Sequence, residues 1–293
     1  MSHSRLLRVL GVAALAGCMA ACSATSDGDP NAEAIVVNHS SANLTAIPST
    51  WIDQAKQTLH IAYGHTSHGS QLTSGMAGLV SWMGEQYAFN YGGNGGALDL
   101  RDYSGDFGGL GIADDLGDPD RSAWEYATRT YLHQNPSINV VVWAWCSQVD
   151  GTQNEIQHYL DLMDGLERDF PSVRFVYMTG HTDGAPLTGN VPARNKQIRD
   201  YCLANGKILY DFADIESYDP DGDYFGDKLV NDGCYYDSDG NSSRDSNWAV
   251  IWQNAHPGEW FSCSSAHSQP LNANRKAYAA WYLWARLAGW DGK

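Results

Sequence analysis

A parallel α/β fold, with helices covering both faces of its sheet, is the architecture this sequence predicts. Three observations carry that prediction. Short apolar runs of strand length alternate with amphipathic helical stretches along most of the chain. The composition, 43% hydrophobic and 18% charged over 293 residues, is that of a chain that folds and can bury one substantial core. Each unusual polar cluster follows an apolar run directly, at the carboxyl end of a predicted strand, where parallel sheets hold their ligands.

The elements follow in order. Arg5 and Arg8 precede the apolar run Val9 to Gly17. That run falls short of the about 20 residues a bilayer core requires and reads as an export signal. Leu15-Ala16-Gly17-Cys18 resembles the bacterial lipoprotein box, which implies removal of residues 1–17, lipidation of Cys18 and an exported protein held at the cell envelope, periplasmic or on the outer surface. Residues 18–43, rich in Ser, Ala, Asp and Asn, are expected to be a flexible tether, and 44–293 the folded domain. Pro48-Ser49-Thr50 opens a short helix, with Thr50 and Asp53 spaced as a capping pair, and Leu59 to Tyr63 is a short strand. The strand ends in Gly64-His65-Thr66-Ser67-His68-Gly69, and Gln71 to Gly84 follows as a helix. Tyr91 to Asp120 is a Gly- and Asp-rich loop with a candidate strand near Leu98.

Ser122 to His133 reads as helix, and Ile138 to Trp145 as the clearest buried strand of the chain. Thr152 and Glu155 form a capping box for a helix that Pro171 ends, and Val173 to Met178 is the next strand. Pro192 to Asn205 is helix, Lys207 to Tyr210 strand, and Asn272 to Leu287 the closing helix. Residues 214–262 break the alternation and form a long acidic, aromatic-rich insertion.

Charge and cysteine usage narrow the function. A formal net charge of −16, with no basic run, excludes a partner bound through its phosphates, so no nucleic acid is expected. The same charge leaves the lipid anchor as the sole expected membrane contact. In an oxidising compartment Cys234 and Cys263 are the expected disulfide, closing a loop of about 30 residues worth roughly 3 to 4 kcal/mol in chain entropy.

The strand-end clusters are His65, Ser67 and His68; Cys146, Ser147 and Gln148; and His181 with Asp183, with Ser264-Ser265-Ala266-His267 just before the last helix. A serine on a tight strand-to-helix turn presents its hydroxyl at a helix N-terminus, where an oxyanion is stabilised, and a late histidine can deprotonate it. The block Gly64-His65-Thr66-Ser67-His68-Gly69, the strand ending in Cys146-Ser147-Gln148, and His267 before the closing helix together resemble the SGNH/GDSL hydrolase superfamily, in its divergent branch with a His-x-Ser-x-Gly first block. The resemblance implies a three-layer α/β/α sandwich with a flavodoxin-like parallel sheet, Ser67 as nucleophile and His267 as general base. The resemblance implies that the second-block glycine is one of Gly108, Gly109 and Gly111, and the expected oxyanion-supporting groups are Gly109, Ser147, Gln148, His65, His181 and Asp183. Ser264 stands where the family places an Asp three residues before the histidine, and the third-block Asn is absent. A backbone carbonyl near Ser264, or Asp183, is left to orient His267.

Other chemistries remain open from sequence. His65, His68, His181, Asp183 and His267 could hold a transition metal that activates water. Asp219, Asp221 and Asp223, and Asp237, Asp239 and Asn241, alternate oxygen ligands around a turn glycine as a structural calcium would need, though neither run has the full loop. Tyr218, Tyr224, Phe225, Tyr235, Tyr236, Trp248, Trp252, Trp260 and Phe261 suit sugar rings, with half of them expected in a satellite core. The expected function is an esterase or deacetylase acting on a carbohydrate or another acylated small molecule, with no cofactor required. The alternatives are a non-catalytic glycan-binding or surface lipoprotein on a degenerate fold, and a metal-dependent hydrolase.

Overall fold

Val140, Val141 and Val142 are each at most 1% exposed, and burial of such side chains stabilises by about 1.5–3 kcal/mol apiece. They form the middle of the sheet. The computed structural model describes residues 33–105, 107 and 120–293; residues 1–17, Cys18, Cys22 and the first part of the expected tether lie outside these. In chain order the elements are β1 (Ile35–Val37), α1 (Ser49–Thr58), β2 (His60–His65), α2 (Ser70–Met83), β3 (Phe89–Asn90), β4 (Leu98–Ser104), α3 (Arg121–Gln134), β5 (Val140–Trp143), α4 (Gln153–Asp169), β6 (Arg174–Met178), α5 (Asn190–Ala204), β7 (Ile208–Tyr210), α6 (Phe212–Glu216), β8 (Tyr235–Tyr236), β9 (Ser246–Asn247), α7 (Trp248–Ala255) and α8 (Pro270–Leu287).

The first seven strands form one parallel sheet in the order β1-β7-β6-β5-β2-β4-β3. Its inner five follow the flavodoxin-like order, and β1 and β3 extend the two edges. Helices α1, α2 and α8 pack together, and α3, α4 and α5 pack in series, giving the three-layer α/β/α sandwich. The tether therefore ends earlier than residue 43: Ile35–Val37 pair with Ile208–Tyr210 because Val37 is apolar enough to be fully buried on the edge of the sheet.

Local rules account for most boundaries. Thr152 and Glu155 make their capping box at α4, with Thr152 N–H donating to Glu155 Oε2 at 2.6 Å and Glu155 N–H to Thr152 Oγ1 at 3.3 Å. The pairing of Thr50 with Asp53 does not form; Pro48 takes the cap position of α1 without a side-chain hydrogen bond. Trp281 and Trp284 of α8 are at most 1% exposed and belong to the main core. In the insertion, Phe225, Trp248 and Trp252 form a second, smaller core with Val230, Cys234 and Leu271, while Tyr224 and Tyr235 stay exposed.

The expected Cys234–Cys263 bridge is absent. Cys234 Sγ lies 3.4 Å from Ser268 Oγ, and Cys263 Sγ contacts the Pro270 carbonyl and the Asn274 amide, so the two thiols serve different neighbours. No described helix is long and apolar enough to cross a membrane.

Candidate active site

In this strand order the chain turns one way after β2 and the other way after β5, although the two strands are direct neighbours. Their carboxyl ends therefore flank a crevice, the topological switch point where open α/β sheets bind ligands. The turn leaving β2 is compressed. A Cβ on Gly69 would lie 2.3 Å from His65 Cβ and 2.6 Å from Ala144 Cβ, so only glycine lets the turn press against β5. Tyr63 Oη donates to the Gly69 carbonyl at 2.8 Å and fixes it there.

That compression delivers His68 onto the loop after β5. Its Nδ1 lies 2.9 Å from Cys146 Sγ, and on the other side of the ring Nε2 lies 3.0 Å from Asp232 Oδ2. Asp232 comes from the insertion and is steadied by Gly233 N–H, 2.9 Å from Oδ1. Burial opposes charge on the ring, but the hydrogen bonds to Asp232 and Cys146, and the charges of Cys146 and Glu216, outweigh it and raise His68 from 6.5 to about 9. Burial likewise pushes Asp232 up, and the bond from His68 with the nearby imidazoles reverses this and holds its carboxyl below the usual range. A protonated His68 sandwiched between a thiol and a carboxylate favours the thiolate, the reactive form of cysteine.

Two further imidazoles lie against that ring. His181 stacks on His68 with ring centroids 3.9 Å apart and is turned by its Nδ1, 2.8 Å from the Thr182 carbonyl. His267 stacks at 4.5 Å and is itself exposed, and its backbone sits at φ 62°, a left-handed conformation that costs a non-glycine residue on the order of 1–3 kcal/mol. A buried polar chain braces the loops beneath. Thr182 N–H donates to Glu216 Oε2 at 2.8 Å, Glu216 Oε1 holds Lys276 Nζ at 2.5 Å, Lys276 donates to Gln71 Oε1, and Gln71 Nε2 donates to the Ala266 carbonyl at 2.5 Å. The loop bearing His267 is thereby tied to α2, α6 and α8.

The residues singled out from sequence fall on both sides of this arrangement. Ser67 is exposed on the turn between β2 and α2, with Oγ 3.6 Å from Cys146 Sγ. Ser67 and His267 form no hydrogen bond with each other, because the ring His267 meets is that of His68. Gln148 Oε1 accepts from Cys146 N–H at 3.3 Å and its Nε2 donates to Ser147 Oγ at 3.4 Å, so both shape the cysteine loop. His65 is buried beneath the site, with Nε2 2.7 Å from Asp102 Oδ1 and Nδ1 2.7 Å from the Thr66 carbonyl; it clamps β2 to β4. Asp183 caps Ala185 N–H at 3.0 Å and bridges Asn231 through the backbone, which anchors the insertion strand leading to Asp232 and leaves His267 without it. Ser264 is exposed. Gly108, Gly109 and Gly111 lie outside the described residues.

Sequence reasoning missed Asp232, which stands in a loop without periodicity; Asn231-Asp232-Gly233 carried only a turn signature. Cys146 was among the convergent residues, but its thiol gave no sign of a nucleophile until His68 was placed beside it.

Among the described residues, the group whose donor atoms approach closely enough to hold a cation is His68, Asp232 and His267, all within 4.8 Å of one another. Of the groups expected from sequence to bind a metal, His65 is committed to Asp102, and Asp183 to its own turn. Asp219 Oδ1 accepts from Asp221 and Asp223 N–H groups, and Asp237 from those of Gly240, Asn241 and Ser242; both serve as turn caps. Set against known proteins, the chain matches no family model and no curated protein.

Proposed function

We propose that the protein is an acyl-ester hydrolase, an esterase or deacetylase, in which Cys146 is the nucleophile, His68 the acid–base and Asp232 the group that orients it. The single observation behind this reading is one imidazole hydrogen-bonded on both sides, 2.9 Å to Cys146 Sγ and 3.0 Å to Asp232 Oδ2. The Cys146 thiolate attacks the ester carbonyl, forming a C–S bond. The C–O bond breaks, and the alcohol leaves with the proton His68 Nδ1 held. Water, deprotonated by His68, then cleaves the thioester to release the acid and restore the thiol. The site stands at the start of α2, whose N-terminal dipole favours negative charge. Ser67 Oγ, close to Sγ, is positioned to donate to the oxyanion.

A carbohydrate ester is the substrate class favoured. A groove of about 570 Å³ between the end of α2, α7 and the loop that runs on to His267 is lined by Trp82, Trp260, Phe261, Gln253, Asn254 and Ser262 among others, aromatic and neutral polar with no charged group. Trp82 is 49% exposed, which leaves its face open to a sugar ring. The leader supports export and anchoring through a lipid on Cys18, in keeping with the lipoprotein-box resemblance.

Hydrolysis of p-nitrophenyl acetate and acetylated oligosaccharides by wild type, Cys146→Ala and Ser67→Ala tests the assignment. Loss of activity in Cys146→Ala with partial activity in Ser67→Ala is expected. The converse pattern would return the nucleophile to Ser67, as the resemblance to SGNH hydrolases implies. Because His68, Asp232 and His267 also offer three close donors, a chelator decides the metal-dependent reading. Activity undiminished in EDTA is expected, and activity lost to EDTA and restored by zinc would overturn the thiol mechanism.

A further inference from the structure

Arg275, in the first half of α8, is 4% exposed and has no carboxylate within 4 Å among the described residues. The hydrogen bond of its guanidinium is a long one, from Nη2 to the His39 carbonyl at 3.5 Å, and Nε has no partner. Lys276, Arg199, Arg101 and Lys207 each hold a carboxylate, Glu216, Asp211, Asp99 and Glu167 in turn, whereas Arg174 and Arg194 are only half-buried and use a carbonyl or an amide; Arg275 is the arginine enclosed to 4% without an acid among the described residues. An isolated charge out of water costs several kcal/mol unless something completes it. Burial pushes the Arg275 guanidinium down to about 10, partly offset by the more distant Asp219 and Asp214.

The same arginine lines a cavity of about 520 Å³ between the turns after β1, the end of α2 and the insertion, with Asn43 and Tyr278 contributing an amide and a hydroxyl. Two acids also line it, but each is engaged elsewhere. Asp219 Oδ1 caps the N–H groups of Asp221 and Asp223, and Asp221 Oδ2 accepts from Trp252 Nε1 at 3.0 Å. The cavity thus holds one buried guanidinium that spends a single long hydrogen bond on the protein, beside two carboxylates, one capping its own turn and one accepting from a tryptophan.

We propose that this cavity binds a small monocarboxylate, with the carboxylate paired to the Arg275 guanidinium. A planar carboxylate matches the fork of an arginine. A single charge is favoured over a dianion because the protein carries a net charge of −16 and Asp214, Asp219 and Asp221 stand close by. The site shares no residue with the Cys146 centre, so binding there does not depend on turnover.

Isothermal titration of the full chain with acetate, glucuronate, glucose and inorganic phosphate tests the assignment. Saturable binding of acetate or glucuronate is expected, with phosphate weaker, glucose silent, and affinity for the carboxylate reduced at least about tenfold in Arg275→Gln. Should Arg275→Gln fail to fold, Arg275→Lys, which keeps the charge and loses the fork, is expected to bind more weakly than wild type. Any one of three results would overturn the proposal: no saturable carboxylate binding by wild type, equal affinity in a folded Arg275 variant, or preference for phosphate. Repeating the wild-type titration on Cys146→Ala separates this result from the hydrolase reading, since binding is expected to be unchanged there whatever that variant does to activity.

Discussion

Asp232→Asn removes one charge from the site and keeps its shape. In the folded protein His68 is raised from 6.5 to about 9, a gain in proton affinity of about 3 kcal/mol at about 1.4 kcal/mol per unit. Burial works against that gain, and the strongest opposing contribution is the hydrogen bond to Asp232. With Asn in its place burial remains and the carboxylate does not, so the ring is expected to fall by at least about one unit. The sign of the stability effect follows from linkage. A raised histidine stabilises fully below its unfolded value of 6.5, and the contribution disappears as pH rises through about 9. Asp232→Asn is therefore expected to be less stable than wild type by on the order of 1–2 kcal/mol near about pH 6, with the gap closing above about pH 10. Ester hydrolysis is expected to fall about 10²- to 10⁴-fold in kcat/KM, as when the acid of a triad is lost. Denaturant melts at the two pH values, with NMR titration of the His68 imidazole, supply the readout. An imidazole titrating within about half a unit of wild type, or a stability loss independent of pH, would refute the reasoning.

Other perturbations reach different links in the structure. Gly69→Ala places a Cβ 2.3 Å from His65 Cβ and is expected to lower the denaturation midpoint and activity together; a variant with unchanged kcat/KM would show the turn to be unimportant. Lys276→Met leaves Glu216 charged in a fully buried place and is expected to cost about 3–5 kcal/mol, much of it recovered in the Lys276→Met/Glu216→Leu double variant, as measured by chemical denaturation. Alkylation of the denatured chain without reductant, followed by peptide mapping, is expected to find Cys234 and Cys263 both modified, and a cross-linked peptide pair would contradict their separate neighbours.

The inner sheet was legible because its strands are short apolar runs bounded by glycine, proline and capping residues; Thr152 and Glu155 mark α4 as the sequence says they should. The edge strand β1 was not, since three residues, Ile35–Val37, carry no periodicity and gain their structure from pairing with β7. For the site, the strand-end clusters do converge, but Ser67 and His267 make no hydrogen bond with each other. His68 was grouped with Ser67 as a neighbour, but adjacent residues on a turn point apart, and the ring turned toward Cys146 while Ser67 stayed exposed. Asp232 reaches His68 across 164 positions of chain, a contact that no local pattern encodes. The expected Cys234–Cys263 bridge rested on compartment and loop length, neither of which fixes where two side chains point.

Which atom carries the acyl group is what most directly decides between these chemistries. Incubation with a slowly hydrolysed acyl ester, rapid acid quench and mass spectrometry of the digested protein locates it. The expected adduct lies on the peptide containing Cys146 and disappears on treatment with hydroxylamine at neutral pH, as a thioester does. An adduct on the Ser67 peptide, or hydrolysis proceeding at full rate in Cys146→Ala, would contradict the assignment of Cys146, His68 and Asp232 as the catalytic centre.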